Sequence, residues 1–230
     1  MRLAGSLMSQ RIIRGSARRQ AGGTTMADVT LYTVYPSIYG RAVLIALEEK
    51  GVAYDVEIVD TSSTAHRARH PFAKIPVLEH TRDGAVVTIF ESLAVARYVD
   101  EAFDGPALQP TGAAERAHAD QWIEVVKSYA FPAIVTGIVK PLLAGEEPAN
   151  ETVGAAHHVL APLDAALATD SWLGGTAPGL ADCFALPVVE GLVFFEQLAG
   201  LLAGYPALSD WLERMEARPS VAGTLGPRYE

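Results

Sequence analysis

The residues best suited to holding a ligand form two short stretches, Lys74-Ile75-Pro76 and Glu91-Ser92. Proline cannot donate to a sheet ladder, so Pro76 belongs at a strand start, an edge or a bulge. It is also a candidate for a cis peptide bond. Ile75 would then turn its N–H and C=O outward, where an extended peptide can pair with them. Glu91-Ser92 falls where a strand ends and a helix begins, which suits the charged ends of a ligand.

A small α/β unit must position these stretches. Residues 29–34 and 54–59 have strand character, and the helical spacing between them ends at Gly51, a typical C-cap residue. Because a helix joins them, these two strands are predicted to be parallel. Asp83-Gly84 predicts a hairpin between two further strands, followed by a helix at 91–103. The order βαβ-ββα predicts a mixed four-stranded sheet over residues 27–103.

The rest of the chain is predicted to be a separate helical bundle. Residues 104–112 contain two prolines and two glycines, which indicates a linker. Beyond it, residues 113–230 are almost entirely of helical character. The spacing of apolar residues predicts helices at 115–143, bent near Pro132, and at 151–168, 181–202 and 207–217.

Composition narrows the class of protein. Half of the 230 residues are hydrophobic, so a sizeable core can form. Five of the 18 Lys and Arg residues lie in positions 1–26, which contain no acidic residue. The net charge of residues 27–230 is therefore more negative than the −9 of the whole chain. We therefore expect no nucleic-acid partner. Since no apolar run approaches the roughly 20 residues of a membrane span, we expect no membrane partner either.

Cys183 is the single cysteine, which excludes an internal disulfide and multi-cysteine metal motifs. We therefore expect no metal and a cytoplasmic location. Residues 1–26 are expected to be disordered. Their Arg- and Ser-rich composition is typical of a transit peptide. The alternative is an upstream start site, because Met26 immediately precedes the first strand.

Several motifs together resemble the soluble glutathione S-transferase family over residues 28 to about 224. These motifs are Leu31-Tyr32, Ser37, Arg41, Leu47-Glu48-Glu49-Lys50-Gly51, Pro71 to Pro76, Glu91-Ser92 and Leu180-Ala181-Asp182. The resemblance implies a thioredoxin-like N-terminal domain, an all-α C-terminal domain and glutathione as co-substrate. It is closest to bacterial, theta/phi-like members with a catalytic serine.

In such members, a serine that follows the first strand activates glutathione. In this chain that serine is Ser37. The reaction needs a thiolate, and a hydroxyl near a helix N-terminus can stabilise that anion. Ser37 could instead simply cap the helix beginning at Ile38, and we treat the two roles as competing for one hydroxyl. Tyr35 and Tyr39 are the alternative donors. No cysteine lies here, which argues against the thiol-exchange branches of the family.

The resemblance also implies which residues bind glutathione. Ile75 and Pro76 would hold its cysteinyl backbone, Glu91 and Ser92 its γ-glutamyl end, and Lys74 a carboxylate. Where some relatives have a basic pair for the glycyl carboxylate, this chain has Thr61-Ser62. His66, Arg67 and His70 are possible substitutes, and each could equally well be a solvated surface residue.

Four aromatic residues are predicted to line the second-substrate pocket: Tyr35, Tyr39, Trp122 and Tyr129. Asp182 and the adjacent Cys183 are interpreted as structural. Asp182 would accept from backbone N–H groups at a helix start, although Gly179 stands where relatives have the Ser or Thr of a capping box.

The predicted activity is conjugation of glutathione to an apolar electrophile. The alternatives are a glutathione-binding scaffold with little catalysis, and a glutathione-dependent isomerase or dehalogenase. The family further implies a homodimer, for which Phe72 is the candidate apolar anchor.

Overall fold

The N-terminal part of the chain forms one mixed sheet. The computed structural model describes residues 12–14, 27–195, 198 and 200–224. The strands are β1 (Ile12–Arg14), β2 (Val29–Thr33), β3 (Asp55–Ile58), β4 (Val77–Arg82) and β5 (Ala85–Phe90). They lie in the order β1-β3-β2-β4-β5, with β2 parallel to β3 and the other pairs antiparallel. The four strands from β2 to β5 are the predicted mixed sheet.

The strand β1 was not predicted. It pairs with β3 from within the 1–26 extension, where we expected disorder, so that expectation is wrong at these three residues. An edge strand leaves a row of unpaired N–H and C=O groups, and β1 satisfies those of β3. The rest of the extension lies outside the described residues.

The hairpin joining β4 and β5 follows the sequence prediction. Asp83 and Gly84 have φ angles of 52° and 78°, the positive values that a two-residue type I′ turn requires. The hairpin brings the end of β5, and therefore Glu91, beside the beginning of β4. The two predicted ligand-binding stretches are thus neighbours because of this turn: Val77 pairs with Phe90.

Helix α1 (Ile38–Glu49) joins the two halves of the molecule. All residues from Ala42 to Leu47 are buried, as expected for a helix covered on every side. It packs against α3 (Ser92–Ala102) on one side and α7 (Leu180–Val193) on the other. At its two ends, the Arg41 guanidinium donates to Glu190 of α7, and Glu49 accepts from Arg218 at 2.6 Å. These ion pairs fix α1 relative to the C-terminal helices.

The remaining helices form the predicted all-α bundle, preceded by the short helix α2 (Thr64–Arg69) in the N-terminal part. The bundle consists of α4 (Ala113–Val125), a π-helical segment (Val126–Val139), α5 (Lys140–Leu143), α6 (Asn150–Thr169), α7, a short 3₁₀ turn (Leu202–Gly204), α8 (Pro206–Glu216) and α9 (Pro219–Ala222).

The first three bundle segments form one continuous helix, Ala113–Leu143. Pro132 lies inside its π-helical part, where a missing N–H interrupts the regular α-helical ladder. Among the described residues this is the one helix long and apolar enough, by length and composition, to cross a membrane. We predicted a helix at 115–143, but no apolar run of this length. Of its apolar window, 33% is buried inside the protein, and Val126, Ala130, Ile134 and Ile138 of this helix are buried.

Helix α7 is shorter than predicted. The sequence pattern extends it from Ala181 to Leu202, but it begins at Leu180 and ends at Val193. Leu198 and Leu202 are nevertheless buried. The apolar spacing in the sequence extends beyond Val193 because these side chains are still in the core. Their backbone is no longer part of α7.

Candidate active site

Ser37 is the N-cap residue of α1. Its Oγ accepts a hydrogen bond from the Gly40 N–H at 3.0 Å, so the capping role is real. The two roles that we treated as competing are chemically compatible, because a hydroxyl has two acceptor lone pairs and one O–H donor. Capping uses a lone pair of Ser37 and leaves its proton available to another acceptor.

Gly40 allows α1 to approach the end of β2. A Cβ at this position would overlap Thr33 Oγ1 and would lie 3.0 Å from Ser37 Oγ. The absent side chain therefore keeps the Ser37 hydroxyl in place beside a second buried hydroxyl. Gly40 was not predicted to be a site residue, although a glycine in the first turn of a largely apolar helix was an available signal.

The two tyrosine alternatives flank the same corner. Tyr39 stacks on Phe131 of the π-helical segment, with ring centroids 5.0 Å apart. Burial raises the pKa of Tyr39 to about 12, with a smaller contribution from Glu124, and burial also raises the pKa of Tyr35. Both phenols are therefore protonated at neutral pH and can donate a hydrogen bond.

The Ile75-Pro76 peptide bond is cis, as the sequence predicted. Sheet pairing begins one residue later, at Val77. Within the described part of the chain, no hydrogen bond engages the N–H or C=O of Ile75. This half-buried residue can therefore offer both groups to an extended peptide. Lys74 beside it is exposed. A second cis bond, Tyr35-Pro36, precedes Ser37 and was not predicted.

Glu91 and Ser92 stand at the start of α3. Glu91 has a φ of 69°, a region that non-glycine residues adopt rarely and mostly at functional sites. Its side chain is 66% exposed and makes no capping hydrogen bond. Ser92 is buried. A solvent-facing carboxylate at this point can receive an ammonium group from solution.

His66 and His70 are not the solvated residues that we allowed for. Both are buried, and His66 Nε2 lies 2.8 Å from the backbone carbonyl oxygen of Lys74. His70 Nδ1 accepts from the Phe72 N–H at 3.2 Å. Neither imidazole is therefore exposed to a ligand carboxylate in solution. The Ser62 hydroxyl is also occupied, since it donates to Asp60 at 2.7 Å.

The four aromatic residues of the predicted second-substrate pocket are not all brought together. Tyr35, Tyr39 and Trp122 are half-buried against the core. Tyr129, however, is exposed and lines a cavity of about 640 Å³ between the π-helical segment and α6, and none of the other three lines it. The prediction is corrected at Tyr129. It lies two residues from Phe131, the ring that meets Tyr39, and such residues point to opposite sides of a helix.

Asp182 and Cys183 lie in the first turn of α7 and are buried. The Asp182 carboxylate accepts from the N–H groups of Leu173 and Gly179 and from Trp211 Nε1, at 2.7 to 3.0 Å. Burial still raises the pKa of Asp182, and it raises the pKa of the Cys183 thiol well above its usual value. Gly179 replaces a capping Ser or Thr because a Cβ there would lie 2.6 Å from the Leu108 carbonyl oxygen.

The chain is similar to known proteins over both parts of the fold. The family profile described as "Glutathione S-transferase, N-terminal domain" matches residues 36–102, and "Glutathione S-transferase, C-terminal domain" matches residues 124–219. The chain is 33% identical to Glutathione S-transferase 4 of Zea mays, over 80% of this chain and 88% of that protein.

Solved structures are similar as well. Glutathione transferase F7 of Populus trichocarpa superposes with a TM-score of 0.74 at 28% identity, covering 86% of this chain and 99% of that one. A glutathione S-transferase I bound to lactoylglutathione has a TM-score of 0.74 at 27% identity, covering 86% and 98%.

Proposed function

This chain belongs to the glutathione S-transferase family and conjugates glutathione, and we propose that it does so with Ser37 activating the thiol. The observation that carries this proposal is the geometry at the start of α1. Ser37 Oγ accepts from Gly40 at 3.0 Å, and its O–H remains able to donate to a sulfur anion. The positive end of α1 lies at the same point and favours the same anion.

The proposed reaction proceeds through the glutathione thiolate. A free thiol has a pKa of about 8.5, so only a few per cent is ionised at neutral pH. A lowering of about two pKa units corresponds to roughly 2.7 kcal/mol of preferential stabilisation of the anion. The Ser37 hydroxyl and the helix dipole together can supply it. The sulfur then attacks an electrophilic carbon and forms a C–S bond, while the leaving group departs with the electrons of its own bond.

Glutathione itself would be held by both stretches of the N-terminal domain. We assign its cysteinyl backbone to Ile75 and Pro76, its ammonium to Glu91, its γ-glutamyl carboxylate to Ser92, and its glycyl carboxylate to Lys74. The exposure of Glu91 and the unpaired backbone groups of Ile75 support this assignment. The apolar electrophile would contact Tyr35, Tyr39 and Trp122.

The experiment that tests this proposal is the ultraviolet absorbance of the bound glutathione thiolate at neutral pH. Ser37→Ala should lose most of the absorbance and lower kcat/KM toward a reactive aryl halide by roughly tenfold, the effect of about one pKa unit, because the dipole of α1 remains. Ser63→Ala is the matched control, because Ser63 caps α2 through the same kind of bond, from His66 N–H at 3.2 Å. At saturating glutathione the control should keep the thiolate. If Ser37→Ala keeps both thiolate and turnover, Ser37 is only a cap, and Tyr35 or Tyr39 takes its place.

We further propose a homodimer in which Phe72 of one copy enters the cavity between the π-helical segment and α6 of the other. Phe72 is 71% exposed, and Val86, Val87 and Phe90 of β5 are exposed apolar residues as well. The cavity is lined mainly by apolar atoms of residues such as Val125, Pro132, Ala133 and Val159. Phe72→Ser should shift sedimentation toward the monomer, whereas Phe194→Ser, at an equally exposed ring at the C-cap of α7, should not. A Phe72→Ser protein that stays dimeric at low micromolar concentration contradicts the proposal.

The remaining parts of the assignment are predictions as well. We propose a cytoplasmic, serine-dependent enzyme without a metal, nucleic-acid or membrane partner. The boundaries 27–103, 104–112 and 113–230 and the bacterial origin stay predictions, since the curated relative reported above is from a plant.

A further inference from the structure

Two buried histidines contact the glutathione-binding loop, residues 70–76, which ends with Lys74, Ile75 and Pro76. His66, on α2, lies 2.8 Å from the Lys74 carbonyl oxygen through Nε2. A carbonyl oxygen only accepts, so Nε2 carries the proton and Nδ1 has a bare lone pair in the neutral ring. That Nδ1 is buried and has no partner among the described residues. A second proton on His66 would therefore point at no acceptor.

His70 holds the other side of the same loop. Its Nδ1 accepts the Phe72 N–H at 3.2 Å, which requires a bare lone pair and places the proton on Nε2. Nε2 lies 3.9 Å from Glu91 Oε1. The ring is only 1% exposed and packs 4.7 Å from the ring of Phe90. His70 thus connects the loop before Ile75 to the carboxylate assigned to the glutathione ammonium.

We propose that His66 and His70 position the glutathione-binding loop, and that protonation of His70 weakens the binding of glutathione. This inference rests on the proposed function, because it assumes that Ile75 and Glu91 contact glutathione. Both histidines are positioning residues that act through Lys74, Phe72 and Glu91.

Protonation of His70 would act in two ways. A proton on Nδ1 would face the Phe72 N–H, so one hydrogen bond would become a contact between two donors. The charged ring would also compete with the glutathione ammonium for Glu91. The charged and titratable groups facing His70 are Glu91, which favours its protonation, and His66 and Lys74, which oppose it.

The sign of the pH dependence follows from burial. Burial lowers the pKa of His70 below 6.5, and Glu91 only partly offsets this effect. A histidine whose pKa is lower in the folded protein is neutral there at pH 7. The contribution of neutral His70 to glutathione binding is complete above about pH 6.5. It is lost as the pH falls through the lower pKa that His70 has in the folded protein.

The test is calorimetric binding of S-methylglutathione, which has no thiol to titrate, at about pH 7.5 and about pH 5.5. The wild-type affinity should fall several-fold at the lower pH, and by less than about tenfold, because burial holds the pKa of His70 below 6.5. His70→Asn keeps an acceptor near Nδ1 but cannot gain a proton. Its affinity at the higher pH should be retained, and its decline should shrink to under about twofold.

Two variants isolate His66. His66→Phe fills the pocket without a donor and should weaken binding by roughly fivefold at both pH values, the effect of one lost hydrogen bond. His66→Gln places an N–H near the Nε2 position and should restore the affinity. His118→Asn, at an exposed histidine of α4, should match the wild type at both pH values. Circular dichroism checks that each variant is folded.

Each outcome decides one part of the proposal. If His70→Asn shows the wild-type pH dependence, or if the wild type binds equally at both pH values, the role of His70 is wrong. If His66→Phe binds as the wild type does, the role of His66 is wrong. If the wild type binds no S-methylglutathione at either pH, the proposed glutathione site fails, and the positioning roles fail with it.

Discussion

Glu91 in the N-terminal part and Asp182 in the helical part are both acidic residues at the start of a helix. They differ in exposure and in hydrogen bonding. Glu91 precedes α3 with an exposed side chain and no capping hydrogen bond. Asp182, in the first turn of α7, is buried and accepts three hydrogen bonds from within the protein. The two residues share a chemical group and a place on a helix, but only one of them is open to a ligand.

The difference shows what makes a helix start a binding site in this fold. The dipole and the free N–H groups of a helix favour an anion in both places. At α7 the Asp182 carboxylate already has its partners and connects the helix to Leu173 and Trp211. At α3 Glu91 has a positive φ, and its carboxylate is exposed and makes no capping hydrogen bond. One residue is therefore expected to control stability and the other glutathione binding.

The largest expected effect is the loss of stability in Asp182→Ala. Three buried donors would lose their acceptor, and each unpaired buried donor costs about 1–3 kcal/mol. The free energy of unfolding, measured with urea, should fall by at least about 3 kcal/mol.

Two variants calibrate this result. Asp164 accepts one hydrogen bond, from the Leu208 N–H at 2.9 Å, so Asp164→Ala should cost about 1 kcal/mol. Glu91→Gln should change the free energy of unfolding by less than about 0.5 kcal/mol. A comparable loss of stability in Glu91→Gln and Asp182→Ala would contradict the claim that only Asp182 controls stability.

The next effect concerns the positioning of Ser37. In Gly40→Ala the new Cβ would overlap Thr33 Oγ1 and push against Ser37 Oγ, so kcat/KM should fall by at least about tenfold while glutathione binding changes little. Thr33→Ala in the same chain removes the overlapping oxygen and should recover most of the activity. Unchanged activity in Gly40→Ala would mean that the Ser37 hydroxyl needs no defined position.

The smallest expected effect is at Cys183. This thiol is 2% exposed, and burial keeps its pKa well above the usual value, so little thiolate forms. Native protein should not react with iodoacetamide at mildly alkaline pH and should keep its activity, whereas unfolded protein should react fully. Rapid alkylation of the native protein would show that the region around Asp182 opens readily.

Much of the fold and part of the site could be predicted because their causes are local in sequence. The Asp83-Gly84 turn determines the β4–β5 pairing, which brings Glu91 beside the beginning of β4. Pro76 marked the position where sheet pairing begins. The Ser37 cap was predictable from the helix that follows it.

The features that could not be predicted depend on contacts between residues that are far apart in the sequence. Trp211 meets Asp182 from 29 positions away, and no local pattern reveals that bond. The burial of His66 and His70 depends on how α2 packs beside the loop, so their spacing alone left them as possible surface residues. Tyr129 was misplaced because its helix is covered on one side and lines a cavity on the other.

The most direct test of this account compares glutathione with its analogue lacking the γ-glutamyl amino group, by calorimetry on the wild type and on Glu91→Gln. A hydrogen bond to a charged group contributes about 1.5–3 kcal/mol, so the wild type should prefer glutathione by at least about tenfold. In Glu91→Gln this preference should fall below about threefold, while the affinity for the analogue stays nearly constant. An equal preference for glutathione in both proteins would contradict the claim that Glu91 is the open carboxylate of the site.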